Sequence, residues 1–157
     1  MDIPTKKGFG FGLASGVITT LGLMMGLDAS TGSKFVVIAG ILTIAFCDAL
    51  SDAFGMHLSE ETALMKEKSI WESTGSTFIA KLLIALTFLL PVVLLPMDVA
   101  IKVGVAWGLI LIALFSVWLA KKEHLKWQNV VLEHLMFAIF VIVASYGIGL
   151  LVKIWFG

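Results

Sequence analysis

Five long apolar runs constrain this chain more than any other feature of its sequence. The runs cover about residues 8–27, 35–58, 75–97, 98–120 and 127–156. At about 1.5 Å per helical residue, each is long enough to cross about 30 Å of hydrocarbon. Hydrophobic residues make up 59% of the 157 residues and charged residues only 14%, an unusual balance for a soluble domain. The sequence therefore predicts an all-α, multi-pass integral membrane protein, a single transmembrane domain 1–157 in contact with the lipid bilayer.

The charged residues indicate how the five spans are oriented. Net charge is zero and the chain has no arginine, so we expect no nucleic-acid partner. The amino terminus and the connections after the second and fourth spans, with Lys81 among their lysines, hold eight of the eleven lysines. Because lysine-rich loops stay inside, the amino terminus is predicted to be cytoplasmic. The polar segment 59–74 predicts a short cytoplasmic helix, and Pro91 and Pro96 predict a break near the end of the third span.

Two aspartates in the second span are the strongest sign of a site. Asp48 and Asp52 are four residues apart, so they share one face of a helix. An aspartate at the centre of a membrane helix costs about 2.5–3.5 kcal/mol on insertion scales, and such residues usually serve a function. The alternative is structural: both side chains accept hydrogen bonds from Ser or Thr and fix neighbouring helices together.

Depth along the spans groups other residues with this pair. Counting residues from the cytoplasmic side predicts that Glu133 lies near the depth of Asp52, and Met56 lies one helical turn after Asp52. If Asp48 and Asp52 are metal ligands, Glu133 and Met56 are therefore candidate ligands as well. Carboxylates suit Fe²⁺ and Mn²⁺, and a thioether adds a softer ligand. A vestibule at the cytoplasmic mouth is predicted from four further residues: His57, Glu60, Glu61 and His134.

Small residues recur at helical spacing in the first span. They predict close helix packing through Gly12, Gly16, Gly22 and Gly26.

Four stretches of the chain carry a family resemblance. They are GLASGVITTLGLMMGL at 12–27, LSDAFGMHLSEE at 50–61, FLLPVVLLP in the third span and ASYGIGLLV in the fifth. Together they resemble the vacuolar iron transporter family, which includes nodulin-like proteins. The resemblance implies a five-helix protomer, a two-fold homodimer with the metal path near its interface, and export of Fe²⁺ or Mn²⁺ from the cytosol in exchange for protons.

The chain also departs from the family pattern. The first-span Asp of the family is Ser15 here. In the second-span motif, Asp52 replaces a Met, Met56 a Glu and His57 a Tyr. Our hypothesis is that the site has been rebuilt on the second span, around Asp48 and Asp52.

These features predict a divalent-metal/proton antiporter, not an enzyme, with no permanent cofactor and with Fe²⁺ or Mn²⁺ as cargo. Its partners would be metal ions, protons and a second copy of the chain, and a prokaryotic cell membrane is favoured. Two alternatives stay open: a non-transporting scaffold or subunit with a structural Asp pair, and a membrane-embedded metalloenzyme.

Overall fold

The computed structural model describes residues 2–157, and almost all of them are helical. Five helical segments are long and apolar enough to cross a membrane, with the third made of two consecutive helices. The prediction of an all-helical membrane protein with five spans is therefore confirmed at this level. In chain order, the helices are α1 (Ile3–Thr31), α2 (Lys34–Thr62), α3 (Glu67–Thr87), α4 (Leu89–Leu94), α5 (Met97–Lys122) and α6 (Trp127–Phe156).

The third span is interrupted between α3 and α4. Pro91 has no backbone N–H, and its ring clashes with the carbonyl group four residues earlier, which belongs to Thr87. Thr87 is the last residue of α3, and Phe88 instead donates its N–H to Ala85 O in a tighter turn. Pro96 then stands as the N-cap of α5, a position that needs no helical donor.

The connection between α2 and α3 corrects one sequence prediction. The separate helix predicted over 59–74 is wrong: α2 continues to Thr62, and α3 begins at Glu67. The helices extend because Glu and Lys propagate a helix well beyond the end of an apolar run. The turn between them is closed by backbone bonds from Leu64 to Glu61 O and from Met65 to Glu60 O, the pattern of a Schellman motif.

The connection between α5 and α6 repeats this turn. Leu64 and His124 are the two non-glycine residues with positive φ among residues 2–157, at 55° and 56°. The Leu125 N–H bonds to Ala120 O, as the Met65 N–H does to Glu60 O. Lys66 and Lys126 then serve as the N-caps of the following helices. The two connectors therefore share a left-handed residue and the main-chain bond that spans it.

The chain divides into two compact units. The first comprises the chain up to Thr20 together with Ala39–Leu89, so it contains the first part of α1, most of α2 and all of α3. In this unit α1 lies very close to α3. A Cβ atom on Gly12 would lie 2.5 Å from Thr77 O, and one on Gly16 would lie 3.2 Å from Lys81 O. Thr77 Oγ1 also donates a hydrogen bond to Gly8 O.

The second unit comprises Leu21–Ile38 and Leu90–Gly157. Within it, Gly22 and Gly26 face Ser145 of α6. A Cβ atom on Gly22 would lie 3.0 Å from the nearest Ser145 atom, and one on Gly26 would lie 3.4 Å from it. The predicted packing glycines thus lie where another helix approaches. At the start of α2, Lys34 Nζ donates to the carbonyl oxygen atoms of Val93 (3.0 Å) and Leu95 (3.1 Å).

Candidate functional site

Four polar residues meet near the middle of the helices of the first unit. Asp48 is the central residue of α2, and Asp52 lies one turn further on. Ser15 lies near the middle of α1 and Lys81 near the middle of the third span. All four residues therefore lie near the middle of their candidate membrane spans.

Lys81 holds this group together. Its Nζ atom lies 2.5 Å from Asp48 Oδ2 and 2.5 Å from Asp52 Oδ2, and only 1% of its side chain is exposed. The ammonium group also donates to Ser15 Oγ at 2.9 Å, and Ser15 Oγ donates to Asp52 Oδ2 at 2.6 Å. One buried cation from α3 is thus shared by two carboxylates of α2 and a hydroxyl of α1.

The two carboxylates are not equally satisfied. Asp52 Oδ2 accepts hydrogen bonds from both Lys81 and Ser15. Asp48 Oδ2 is close enough to Lys81 for an ion pair, yet among residues 2–157 it is one of three buried side-chain oxygen atoms with no hydrogen-bond partner. The contact between Lys81 and Asp48 is therefore a close ion pair at 2.5 Å.

The two aspartate side chains are more exposed than the lysine side chain that they contact. The side chains of Asp48 and Asp52 keep 28% and 21% of their surface exposed, whereas Lys81 is enclosed. Ser51 and Gly55 on α2 are exposed as well, and a Cβ atom on Gly55 would meet no atom within 4 Å. Part of each aspartate side chain is accordingly not covered by protein, although Asp48 Oδ2 itself is buried.

Sequence reasoning missed Lys81. It counted this residue among the cytoplasmic loop lysines, and that assignment is wrong because Lys81 is buried within α3. The signal was present: a single lysine inside an apolar run, at a depth where membrane charges pair with opposite charges. Without Lys81, the predicted cytoplasmic side still holds seven lysines against three. The orientation of the termini stays a prediction.

The other predicted metal ligands are placed as follows. Met56 is buried on α2 in the first unit, one turn beyond Asp52. Glu133 is exposed on α6 and belongs to the second unit. Their predicted roles as ligands stay predictions.

The predicted vestibule residues of the first unit have local partners near the carboxyl end of α2. His57 Nδ1 lies 3.2 Å from Thr74 Oγ1, and its ring packs edge-on against Trp71 with 4.8 Å between centroids. Glu60 is buried and forms an ion pair with Lys7 of α1. Glu61 is exposed.

The last predicted vestibule residue lies in the second unit. His134 Nδ1 lies 2.7 Å from Ser116 Oγ, which joins α6 to α5. Ser116 Oγ also donates to Ile112 O, so the hydroxyl proton is directed within α5 and the His134 ring nitrogen is placed to contact the oxygen. The pair is a polar contact between two apolar spans.

The arrangement in the first unit places three oxygen ligands around one positive charge. Two carboxylates and a hydroxyl are hard oxygen donors, and they already hold one positive charge. Among residues 2–157 no group of three or more His, Cys, Asp or Glu side chains is close enough to hold a metal ion. A bound metal would therefore have the two carboxylates as its charged ligands, with Ser15 or water completing the shell.

Comparison with known proteins adds no relative. No protein-family model matches the chain, and neither a curated protein nor a solved structure matches it significantly. The resemblance to the vacuolar iron transporter family therefore stays a prediction from the sequence motifs.

Proposed function

We propose that the protein is a proton-coupled transporter of divalent cations, with Asp48 and Asp52 as the cargo ligands. One observation carries the proposal: at mid-span, two carboxylates one helical turn apart both contact a single positive charge, the Lys81 ammonium. Membrane helices rarely contain such groups unless they bind or move ions. One carboxylate would neutralise the Lys81 ammonium, whereas here a second carboxylate shares it and keeps 28% of its side chain exposed.

The chemistry of the site suits Fe²⁺ or Mn²⁺ as cargo. Both ions accept oxygen ligands, and Met56 would add a softer ligand if it turned toward the pair. When cargo leaves, the carboxylates are again excess negative charge at lipid depth, and a proton is the smallest charge that can replace it. Cation release and proton uptake are thereby linked at one place.

The finer features of the proposal follow from the sequence. They are an amino terminus in the cytoplasm, export of the cation from the cytosol, a two-fold homodimer, and a prokaryotic cell membrane as the host. The exposed part of Asp48 and Asp52 on α2 supports a site that is reached by ions from outside the unit.

Transport into proteoliposomes tests the function. Purified protein is reconstituted with a Mn²⁺-sensitive dye inside the vesicles, and flux is driven by an imposed pH gradient. Asp48→Asn and Asp52→Asn each remove one negative charge without changing side-chain shape, and we expect both to abolish Mn²⁺ flux. Asp98→Asn is the matched control, because Asp98 is exposed in the first turn of α5. Equal flux in all four proteins would refute the proposal.

A structural role is the second candidate, and the burial of Lys81 favours it. Lys81 joins α3 to α2 directly and to α1 through Ser15. Breaking one partner of a buried ion pair typically costs about 3–5 kcal/mol. If the network only fixes these helices, the wild-type protein moves no Mn²⁺, and the Asn variants lose thermal stability in detergent.

A further inference from the structure

We infer that the Lys81 ammonium occupies the place of the transported cation, so that cargo binds by displacing it. Lys81 would then be the residue that sets the affinity and the charge selectivity of the site. The inference deepens the proposed function, since it names what the cargo competes with. It concerns binding, and it is tested without transport.

The first step is positional. The ammonium contacts both carboxylates from a helix that is different from theirs, and it reaches them on a flexible four-carbon stem. The backbone from which this stem starts is fixed by α1: a Cβ atom on Gly12 would lie 3.2 Å from Lys81 N, and one on Gly16 would lie 3.3 Å from Lys81 Cα. The lysine is therefore anchored at its base, while its charged end is held by the carboxylates.

The second step is geometric. An ammonium group donates along its N–H bonds, so it aligns a hydrogen bond only with acceptors that lie in those directions. Lys81 does so with Asp52, whereas Asp48 Oδ2 lies 2.5 Å from Nζ without a hydrogen bond. A metal ion has no preferred donor direction of this kind, and it can satisfy both oxygen atoms at once. Asp48 Oδ2 and Asp52 Oδ2 thus converge on one point, which a single cation can occupy.

The third step is charge. Two carboxylates and one ammonium leave a single negative charge in the site, and α1 has no ionisable side chain between Gly8 and Leu27. Adding a divalent ion while the ammonium stays would create a net positive charge at lipid depth. Replacing the ammonium with the divalent ion makes the site neutral, which is the favourable outcome where dielectric screening is weak. Exchange with Lys81 therefore favours divalent cargo.

The test measures Mn²⁺ binding to the purified protein in detergent by electron paramagnetic resonance, which separates bound from free ion. Lys81→Met removes the competing charge and keeps an unbranched stem. One charge next to a carboxylate commonly changes its affinity for a proton by about ten- to thousand-fold, so we expect Mn²⁺ to bind about ten-fold or more tighter than in the wild type. Lys81→Arg keeps the charge, and its Mn²⁺ affinity should stay at the wild-type level. Adding Asp48→Asn and Asp52→Asn to Lys81→Met should remove the gained binding.

A second pair of variants covers the case in which Lys81→Met does not fold. Asp48→Asn with Lys81→Gln has the same net site charge as the wild type, and it is compared with Asp48→Asn alone. Competition predicts about ten-fold tighter Mn²⁺ binding in the double variant. Equal affinity within either folded pair overturns the inference. If removing Lys81 raises the affinity for Mn²⁺ but the wild-type protein transports no cation, the proposed function is refuted and the inference about binding stands.

Discussion

The close approach of α1 to α3 can be tested at Gly12. Alanine at this position would place its methyl carbon 2.5 Å from the carbonyl oxygen of Thr77, with Ala80 Cβ at 3.1 Å. The nearer atom belongs to backbone and cannot rotate away. The two helices would have to separate by about half an ångström, and interiors packed to crystal-like density transmit such a shift.

The expected free energy follows from two opposing terms. Alanine is favoured over glycine within a helix by about 0.8–1.0 kcal/mol, while overpacking costs about 1–3 kcal/mol. Gly55→Ala is the matched control because it gains the same helix preference and its Cβ meets no atom within 4 Å. We expect Gly12→Ala to be less stable than Gly55→Ala by about 1–3 kcal/mol, the overpacking term alone.

The assay is unfolding in detergent micelles, followed by circular dichroism in parallel for the wild type and both variants. Gly55→Ala should be as stable as the wild type or slightly more so, and Gly12→Ala should unfold first. Mn²⁺ binding is measured in the same samples, because Ser15 lies one turn beyond Gly12 and its hydroxyl reaches Asp52. If the two variants were equally stable, the close contact between α1 and α3 would not exist, and the placement of Ser15 would lose its basis.

Three further predictions concern the ends of the helices. Lys34→Met removes the donor to Val93 O and Leu95 O, and we expect it to lower the free energy of unfolding by about 1 kcal/mol. Amide exchange after α4 should be faster than in Lys102→Met, which changes an exposed lysine. Equal exchange in the two variants would argue against this cap. Leu64→Gly relieves about 1–2 kcal/mol of left-handed strain at a residue that is 93% exposed, and after the entropy cost of glycine we expect a small gain in thermal stability that Leu64→Ala does not give. A hydrogen bond with Thr5 lowers the pKa of Asp2 below its ordinary value of 3.8. The contribution of Asp2 to the start of α1 is therefore complete above pH 3.8 and is lost as the pH falls through the lowered pKa; Asp2→Asn should flatten this part of the profile of helix content against pH.

The number and approximate position of the spans could be predicted from the sequence because length and hydropathy alone decide them. The prediction for α6, 127–156, coincides with the helix in the structure. The ends of α2 and α3 could not be predicted in the same way, since the polar residues that follow Leu58 form helix as readily as the apolar ones before it. Apolar runs end where lipid would end, but helices end where a residue such as Leu64 takes a left-handed conformation.

The candidate site could be predicted only in part. Spacing alone placed Asp48 and Asp52 on one helix face, and both do reach the same ammonium. Their partner could not be read from α2, because the choice of Lys81 depends on how α3 is rotated about its own axis. Each of these helices carries apolar residues on most of its surface, so the hydrophobic pattern does not show which side of α3 faces α2. A count of mid-span charges, two negative and one positive, was the available clue.

Because the left-handed turn at Leu64 is repeated at His124, we expect each connector to be able to replace the other. Each is closed by main-chain bonds, and all four residues of ALMK (63–66) and of EHLK (123–126) are exposed. Swapping them, or replacing either with a short epitope that keeps a left-handed second residue, should leave the helices on both sides intact. One short epitope or probe can therefore be inserted at either of two positions in the chain, each in a turn with a left-handed residue.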